Sequence, residues 1–159
     1  MVRNHGLDRT VRQFEQAGYD NGKVAEFLKT LPWHLSLDGG KLIVVHAAWR
    51  DGLETEKPGL LRSWCLYAPC TGQTLPNGMP DRIDWVSQRQ VTEASPWIVY
   101  GHQPYDEVRI LNKTAGIDTG CVFGGKLTAL RWPEMEVVQV SAKERYDEHP
   151  VLQGGEARE

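Results

Sequence analysis

Two histidines stand where a side chain can most easily do chemistry. His46 follows the apolar run 42–45 (Leu-Ile-Val-Val), and His102 follows the run 97–101 (Trp-Ile-Val-Tyr-Gly). Neutral imidazole is the commonest metal ligand among side chains, and in layered α/β proteins ligand sites gather at strand ends. Gly101 lets backbone or ligand come close beside His102. Asp118 closes another apolar segment, where a carboxylate can brace a ligating imidazole through its second ring nitrogen. The alternative for Asp118 is a turn aspartate bonded to its own backbone. Arg62 and Arg82 are candidates for bidentate contact with a phosphate. On position alone, two ordinary strand-end histidines bonded to loop carbonyls are the more frequent arrangement, and exposed arginines are commonly just solvated. His5, His34 and His149 read as structural or solvated.

The elements that must position these groups are readable from periodicity. Leu7, Val11, Phe14 and Ala17 recur at helical spacing, with Gly18 where a C-cap glycine belongs. A second helix has Asp20 or Asn21 as cap, an apolar face of Val24, Phe27, Leu28 and Leu31, and Pro32 as its stop. Residues 33–37 and 41–47 read as a strand pair around Asp38-Gly39-Gly40, the second dense enough in apolar residues to be buried on both faces. Residues 48–95, rich in proline and glycine, read largely as a connection, a lid or substrate-side insertion, with one short ordered piece at 62–67. Short strands are expected at 97–100, 109–111, 115–118, 127–132 and 136–141. Trp33, Trp85, Trp97 and Trp132 read as core or lid packing. The expected fold class is α/β, a layered sandwich with two N-terminal helices, then mixed and antiparallel strands. Residues 1–150 form one partial domain and 151–159 a disordered tail.

Composition narrows the function classes. The chain has 159 residues, enough for one domain with a sizeable core, and a net charge of −3. That balance gives no basic footprint for coating nucleic acid, and no apolar run is long enough for a membrane span. Three cysteines (Cys65, Cys70, Cys121) cannot all pair and form no CxxC, which points to reduced thiols and a cytoplasmic location. Cys65 and Cys70 lack the second Cys/His pair of a zinc site.

Several motifs carry a resemblance. Val44-Val45-His46-Ala47-Ala48 is similar to the "VxHAG" motif of calcineurin-like metallophosphoesterases, and Tyr100-Gly101-His102-Gln103-Pro104 to their "YGHTP" motif. The run 117–131 (IDTGCVFGGKLTALR) resembles the C-terminal signature of one branch. That branch holds the phosphatase module of bacterial polynucleotide kinase-phosphatase and the symmetric diadenosine tetraphosphatases of the PrpE type. His5-Gly6-Leu7, Leu66-Tyr67 with Thr71-Gly72, and Gly78-Met79-Pro80 with Asp84-Trp85 are also similar. Ala48 replaces a glycine and Gln103 a threonine of the family pattern, both beside ligand positions rather than on them.

The resemblance implies a binuclear-metal-dependent phosphoesterase acting on a phosphomonoester or a nucleoside polyphosphate, with a nucleotide or polynucleotide end as substrate. It implies a divalent metal of manganese type, with His46 and His102 on one ion and Asp118 as supporting active-site carboxylate. In that scheme Arg62 and Arg82 face the substrate. The family's "GDxHG", "GDxxDRGP" and "GNHD/E" motifs are not found in this sequence, and the resemblance places them upstream. The expectation is therefore a C-terminal portion that starts downstream of its natural start, associates or is poorly soluble, and is inactive alone. The alternatives are a non-catalytic remnant that binds a partner or nucleotide, and a structural module.

Overall fold

The computed structural model describes residues 7–76 and 78–147. His5, His149 and the expected tail at 151–159 lie outside the described residues. Two compact units divide the chain, Met1–Pro32 and Trp33–Glu159.

The first unit is a helical pair, α1 (Leu7–Gln16) and α2 (Asn21–Thr30). Gly18, at φ 78°, takes the left-handed conformation that ends α1. Tyr19 N–H then bonds Phe14 C=O at 2.8 Å and Gly18 N–H bonds Glu15 C=O at 3.0 Å, a Schellman closure. The Phe14 and Tyr19 rings meet edge-on at 6.1 Å, the apolar contact that accompanies such a closure. Asp20 caps α2 by accepting from Lys23 N–H at 2.8 Å. The apolar face read from the sequence is present, but Phe27, Leu28 and Leu31 are exposed.

The second unit is built on a mixed five-stranded sheet of order β1-β2-β5-β7-β6. Its strands are β1 (His34–Leu37), β2 (Leu42–Val45), β5 (Trp97–Tyr100), β6 (Arg109–Leu111) and β7 (Thr114–Gly116). β2, β5 and β7 run parallel, while β1 and β6 close the two edges antiparallel. Central parallel strands are covered on both faces, which is why β2 and β5 are nearly continuous apolar runs. Asn112 and Lys113, at φ 48° and 51°, make the two-residue turn between β6 and β7. A second hairpin, β8 (Lys126–Arg131) with β9 (Glu136–Ser141), forms its own two-stranded sheet. The α/β class with mixed and antiparallel strands is the one expected.

Residues 48–95 differ from expectation, because they are ordered and supply much of the core. They contain α3 (Pro58–Tyr67), the hairpin β3 (Cys70–Thr74) with β4 (Pro80–Arg82), and a helical turn α4 (Trp85–Gln88). Trp49, Leu53, Cys65, Ala68, Trp85 and Val86 join Ile43, Val45, Ile98 and Tyr100 in one buried cluster. The prolines that suggested a linker sit at element boundaries instead. Pro58 occupies the first turn of α3, where its missing N–H costs nothing. Of the four tryptophans read as core or lid, Trp85 is buried, Trp97 and Trp132 pack on a second cluster around Val99, and Trp33 is exposed.

Two contacts fix this framework and can be tested. At Gly125 an added Cβ would lie 2.1 Å from Thr119 C=O, so Gly125→Ala must displace backbone. Overpacking of this kind costs about 1–3 kcal/mol, and the expected outcome is a lower melting temperature with secondary structure retained. Arg109 grips Asp84 with both guanidinium nitrogens, at 3.0 and 2.8 Å, joining β6 to the cap of α4. Burial pulls the Asp84 carboxyl up, but bonds from Arg109 and Ser87 outweigh it and hold the pKa at about 2. A depressed carboxylate stabilises the fold above its ordinary pKa and loses that contribution as pH falls from about 4 to about 2. Asp84 is half exposed, so the effect is small, at most about 1 kcal/mol. Denaturant unfolding should show Asp84→Asn less stable than wild type at pH 5, with the gap closing near pH 2.

Candidate functional site

The parallel pairing of β2 with β5 brings the two histidines together. Its register sets Leu42 opposite Trp97, Ile43 opposite Ile98 and Val44 opposite Val99. Past the strand ends, Gly101 N–H donates to His46 C=O at 2.9 Å and continues the ladder. His46 Nε2 and His102 Nδ1 lie 3.0 Å apart, with ring centroids at 4.8 Å.

His102 is held in an uncommon state. Its φ of 72° is left-handed, which for a non-glycine residue costs about 1–3 kcal/mol and is found most at functional sites. Its Nε2 is buried with no hydrogen-bond partner. Burial first, then the positive charge of Arg82, then His46, push the ring pKa down to about 4, against an opposing pull from Asp118. The ring is therefore neutral at pH 7, the form that binds metals.

Asp118 sits close behind. The position a Gly101 Cβ would occupy is 3.5 Å from Asp118 Cβ and 3.8 Å from its Oδ2. Those are ordinary contacts, so space alone does not demand a glycine at 101. Asp118 Oδ1 accepts from Gly120 N–H at 3.2 Å, and its backbone C=O accepts from Tyr105 N–H at 2.9 Å. Among the described residues neither imidazole hydrogen-bonds to the Asp118 carboxylate, whose charge acts on His102 through space.

The two arginines separate. Arg82 Nη1 donates to Tyr67 C=O, and its charge reaches His102. Arg62 is exposed, its guanidinium 5.9 Å from the Tyr67 ring centroid, with no contact to the histidine pair. His34 stacks against Trp49 at 4.4 Å, a packing role. All three cysteines are free, and burial pushes the Cys65 thiol up to about 11. Sequence reasoning passed over Trp49 and Trp64, which share a pocket with Trp85. They come from separate elements, so no periodicity could have joined them.

What the pair can do follows from its spacing. Two nitrogen ligands about 2.0–2.1 Å from one ion and subtending about 90° lie about 3 Å apart, which is the separation found. The 3.0 Å contact is itself a hydrogen bond between the two rings, one donating and the other accepting, and the same separation is compatible with one edge of a coordination sphere. Among the described residues no group of three or more His, Cys, Asp or Glu side chains completes such a site. No described helix is long and apolar enough to cross a membrane.

The influence of Arg82 on His102 is open to measurement. Replacing it by a neutral side chain removes a charge that disfavours the imidazolium. The His102 pKa should therefore rise from about 4 in Arg82→Gln, followed through the imidazole proton shifts in an NMR pH titration. An unchanged value would leave burial and the neighbouring His46 as the causes.

Comparison with known proteins supports the PrpE part of the motif resemblance and not its polynucleotide kinase-phosphatase part. No family model matches the chain. A bis(5'-nucleosyl)-tetraphosphatase PrpE (asymmetrical) of a Geobacillus species is 40% identical over 148 residues, which is 89% of this chain and 59% of that protein. The protein of the same name from Anoxybacillus flavithermus is 42% identical over the same shares. That from Bacillus subtilis is 39% identical over 149 residues, 91% of this chain and 60% of its own length. All three are named as asymmetrical enzymes, whereas the motif resemblance pointed to the symmetric type. Along about nine-tenths of its length, then, the chain is similar to proteins named as bis(5'-nucleosyl)-tetraphosphatases, and it spans about three-fifths of theirs.

Proposed function

We propose that the chain forms part of a divalent-metal phosphoesterase that hydrolyses a nucleoside polyphosphate. The observation that carries this is the convergence of His46 Nε2 and His102 Nδ1 at 3.0 Å, at the ends of adjacent parallel strands. Similarity to enzymes named as bis(5'-nucleosyl)-tetraphosphatases supports the same substrate class; a phosphomonoester or polynucleotide end is the broader class left by the motifs.

His46 and His102 would hold one ion, manganese by resemblance to metallophosphoesterases. Bound there, a divalent ion supplies Lewis-acid charge to a phosphoryl oxygen and lowers the pKa of a water. The chain's own residues prepare that place. Burial keeps His102 neutral, the β2–β5 ladder holds the two rings in register, and Asp118 fills the space behind Gly101. Arg82 adds a fixed positive charge near the pair, suited to a phosphate oxygen. Arg62, exposed and with its guanidinium 5.9 Å from the Tyr67 ring centroid, is the weaker of the two candidates for the substrate.

Two imidazoles fall short of the three or more protein ligands such sites normally use. Further ligands would come from outside the described residues. The same shortfall favours, as a second reading, a nucleotide-binding module without turnover.

Catalytic groups that act as a unit are lost together, so two retained ligands do not retain a proportionate share of rate. The 159-residue chain is expected to show no chelator-sensitive hydrolysis of an aryl phosphate with manganese added. A chain extended to the full length of its relatives should hydrolyse it. His102→Ala in that longer chain should cost more than the roughly 10–100-fold that loss of a ligand's outer partner costs. Turnover by the short chain, or an active His102→Ala, would contradict the assignment.

A further inference from the structure

In the second unit Arg50, Arg89, Arg109 and Arg131 each hold a carboxylate, from Glu56, Asp51, Asp84 and Glu136 in turn. Among the described residues no carboxylate pairs with Arg62 or Arg82. Arg82 is also half-buried. Taking a charge partly out of water without a counter-charge is costly, so Arg82 in particular is suited to an incoming anion.

Both of these arginines meet one aromatic residue. Tyr67 ends α3 and is 52% exposed. The Arg62 guanidinium lies 5.9 Å over its ring, and Arg82 Nη1 donates to its backbone C=O. The helix stops there because Ala68 takes φ 59° and ψ 160°, a conformation nearly confined to glycine. Ala68 is buried, so the backbone behind Tyr67 is fixed while the ring stands at the surface. Arg62 attends the ring at cation–π distance, and the exposure of the residue leaves ring surface for a second flat partner.

Hydrogen bonds tie this ring to the histidine pair. Ala47, the residue after His46, donates its N–H to Cys65 C=O at 2.8 Å, within the last turn of α3. On the other side, the Arg82 that grips Tyr67 is the one whose charge acts on His102. A nucleoside polyphosphate brings what this arrangement can take, a flat base and a chain of negative charge. Guanidinium groups bind phosphate oxygens bidentately, and aromatic rings stack with any base. We propose that Tyr67 is the stacking platform for the base of a nucleoside polyphosphate whose phosphate chain passes Arg82 on its way to the histidine pair. The inference rests on the nucleoside polyphosphate reading above for its substrate class.

The test compares adenosine triphosphate with inorganic tripolyphosphate, which has the phosphate chain without the base. Both are titrated into the chain by calorimetry with chelator present, so that no metal contributes. The nucleotide should bind more tightly by about tenfold, within the range of one base–aromatic stack. Tyr67→Ala should lower its affinity to that of tripolyphosphate and leave tripolyphosphate binding unchanged, whereas Tyr67→Phe should keep the preference. Tyr67 is exposed and Arg82 bonds its backbone, so neither variant removes a core contact. Arg82→Gln should weaken both ligands. The proposal is overturned by a wild-type chain that binds neither ligand or binds both equally. A Tyr67→Ala chain that still prefers the nucleotide, a Tyr67→Phe chain that does not, or unaltered binding in Arg82→Gln overturns it too. Hydrolysis of an aryl phosphate by the longer chain reports separately on the phosphoesterase reading.

Discussion

The parallel contact between β2 and β5 is the constraint on which the rest of the site depends. Each strand is four residues long and mostly buried, so their pairing is held by apolar burial as much as by the ladder. Burying a side chain such as Ile43, Val45 or Ile98 is worth about 1.5–3 kcal/mol each. Both faces are covered, so a one-residue slip would not expose these side chains. It would swap them between two differently packed clusters, Ile43, Val45, Ile98 and Tyr100 in one and Leu42 and Val99 in the other. That penalty fixes the register, and with the Gly101–His46 backbone bond it fixes where the two imidazoles emerge. The left-handed backbone at His102 costs energy locally; the buried strand behind it supplies the stabilisation that offsets the cost.

Around this pair the second unit adds support from segments far apart in the chain. Ala47 N–H donates to Cys65 C=O at 2.8 Å, tying the loop after His46 to α3. The Trp85 and Tyr100 rings meet at 5.0 Å, tying α4 to β5. The Arg82 contact with Tyr67 closes β4 onto the end of α3. The same contacts hold the histidine pair and the buried tryptophans within one unit.

Much of this was legible in the sequence, and the failures have physical causes. β2 and β5 announced themselves through unbroken apolar runs, because strands buried on both faces need no alternation. α1 and α2 were legible because Gly18 and Asp20 cap them by local chemistry. Residues 48–95 misled, since proline and glycine mark the ends of short elements as well as linkers, and periodicity is weak in a four-residue turn such as α4. Asp118 was visible both as a candidate and as a turn aspartate, and its carboxylate does accept the local turn bond from Gly120 N–H; only its through-space effect on His102 is a matter of tertiary geometry. Arg62 and Arg82 looked equivalent as residues; only the fold brings the charge of Arg82 to bear on His102 and sets Arg62 over the Tyr67 ring. The tryptophan pocket was unreadable for the same reason, as its walls come from three elements that share no spacing.

The central claim is that His46 and His102 form one edge of a metal site. The most direct measurement is anomalous diffraction from manganese-soaked crystals of the chain extended to the full length of its relatives, where the further ligands are present. A peak within about 2.0–2.3 Å of both His46 Nε2 and His102 Nδ1 is the result this account expects. A manganese peak elsewhere on the molecule, or an empty histidine pair at saturating metal, would contradict it.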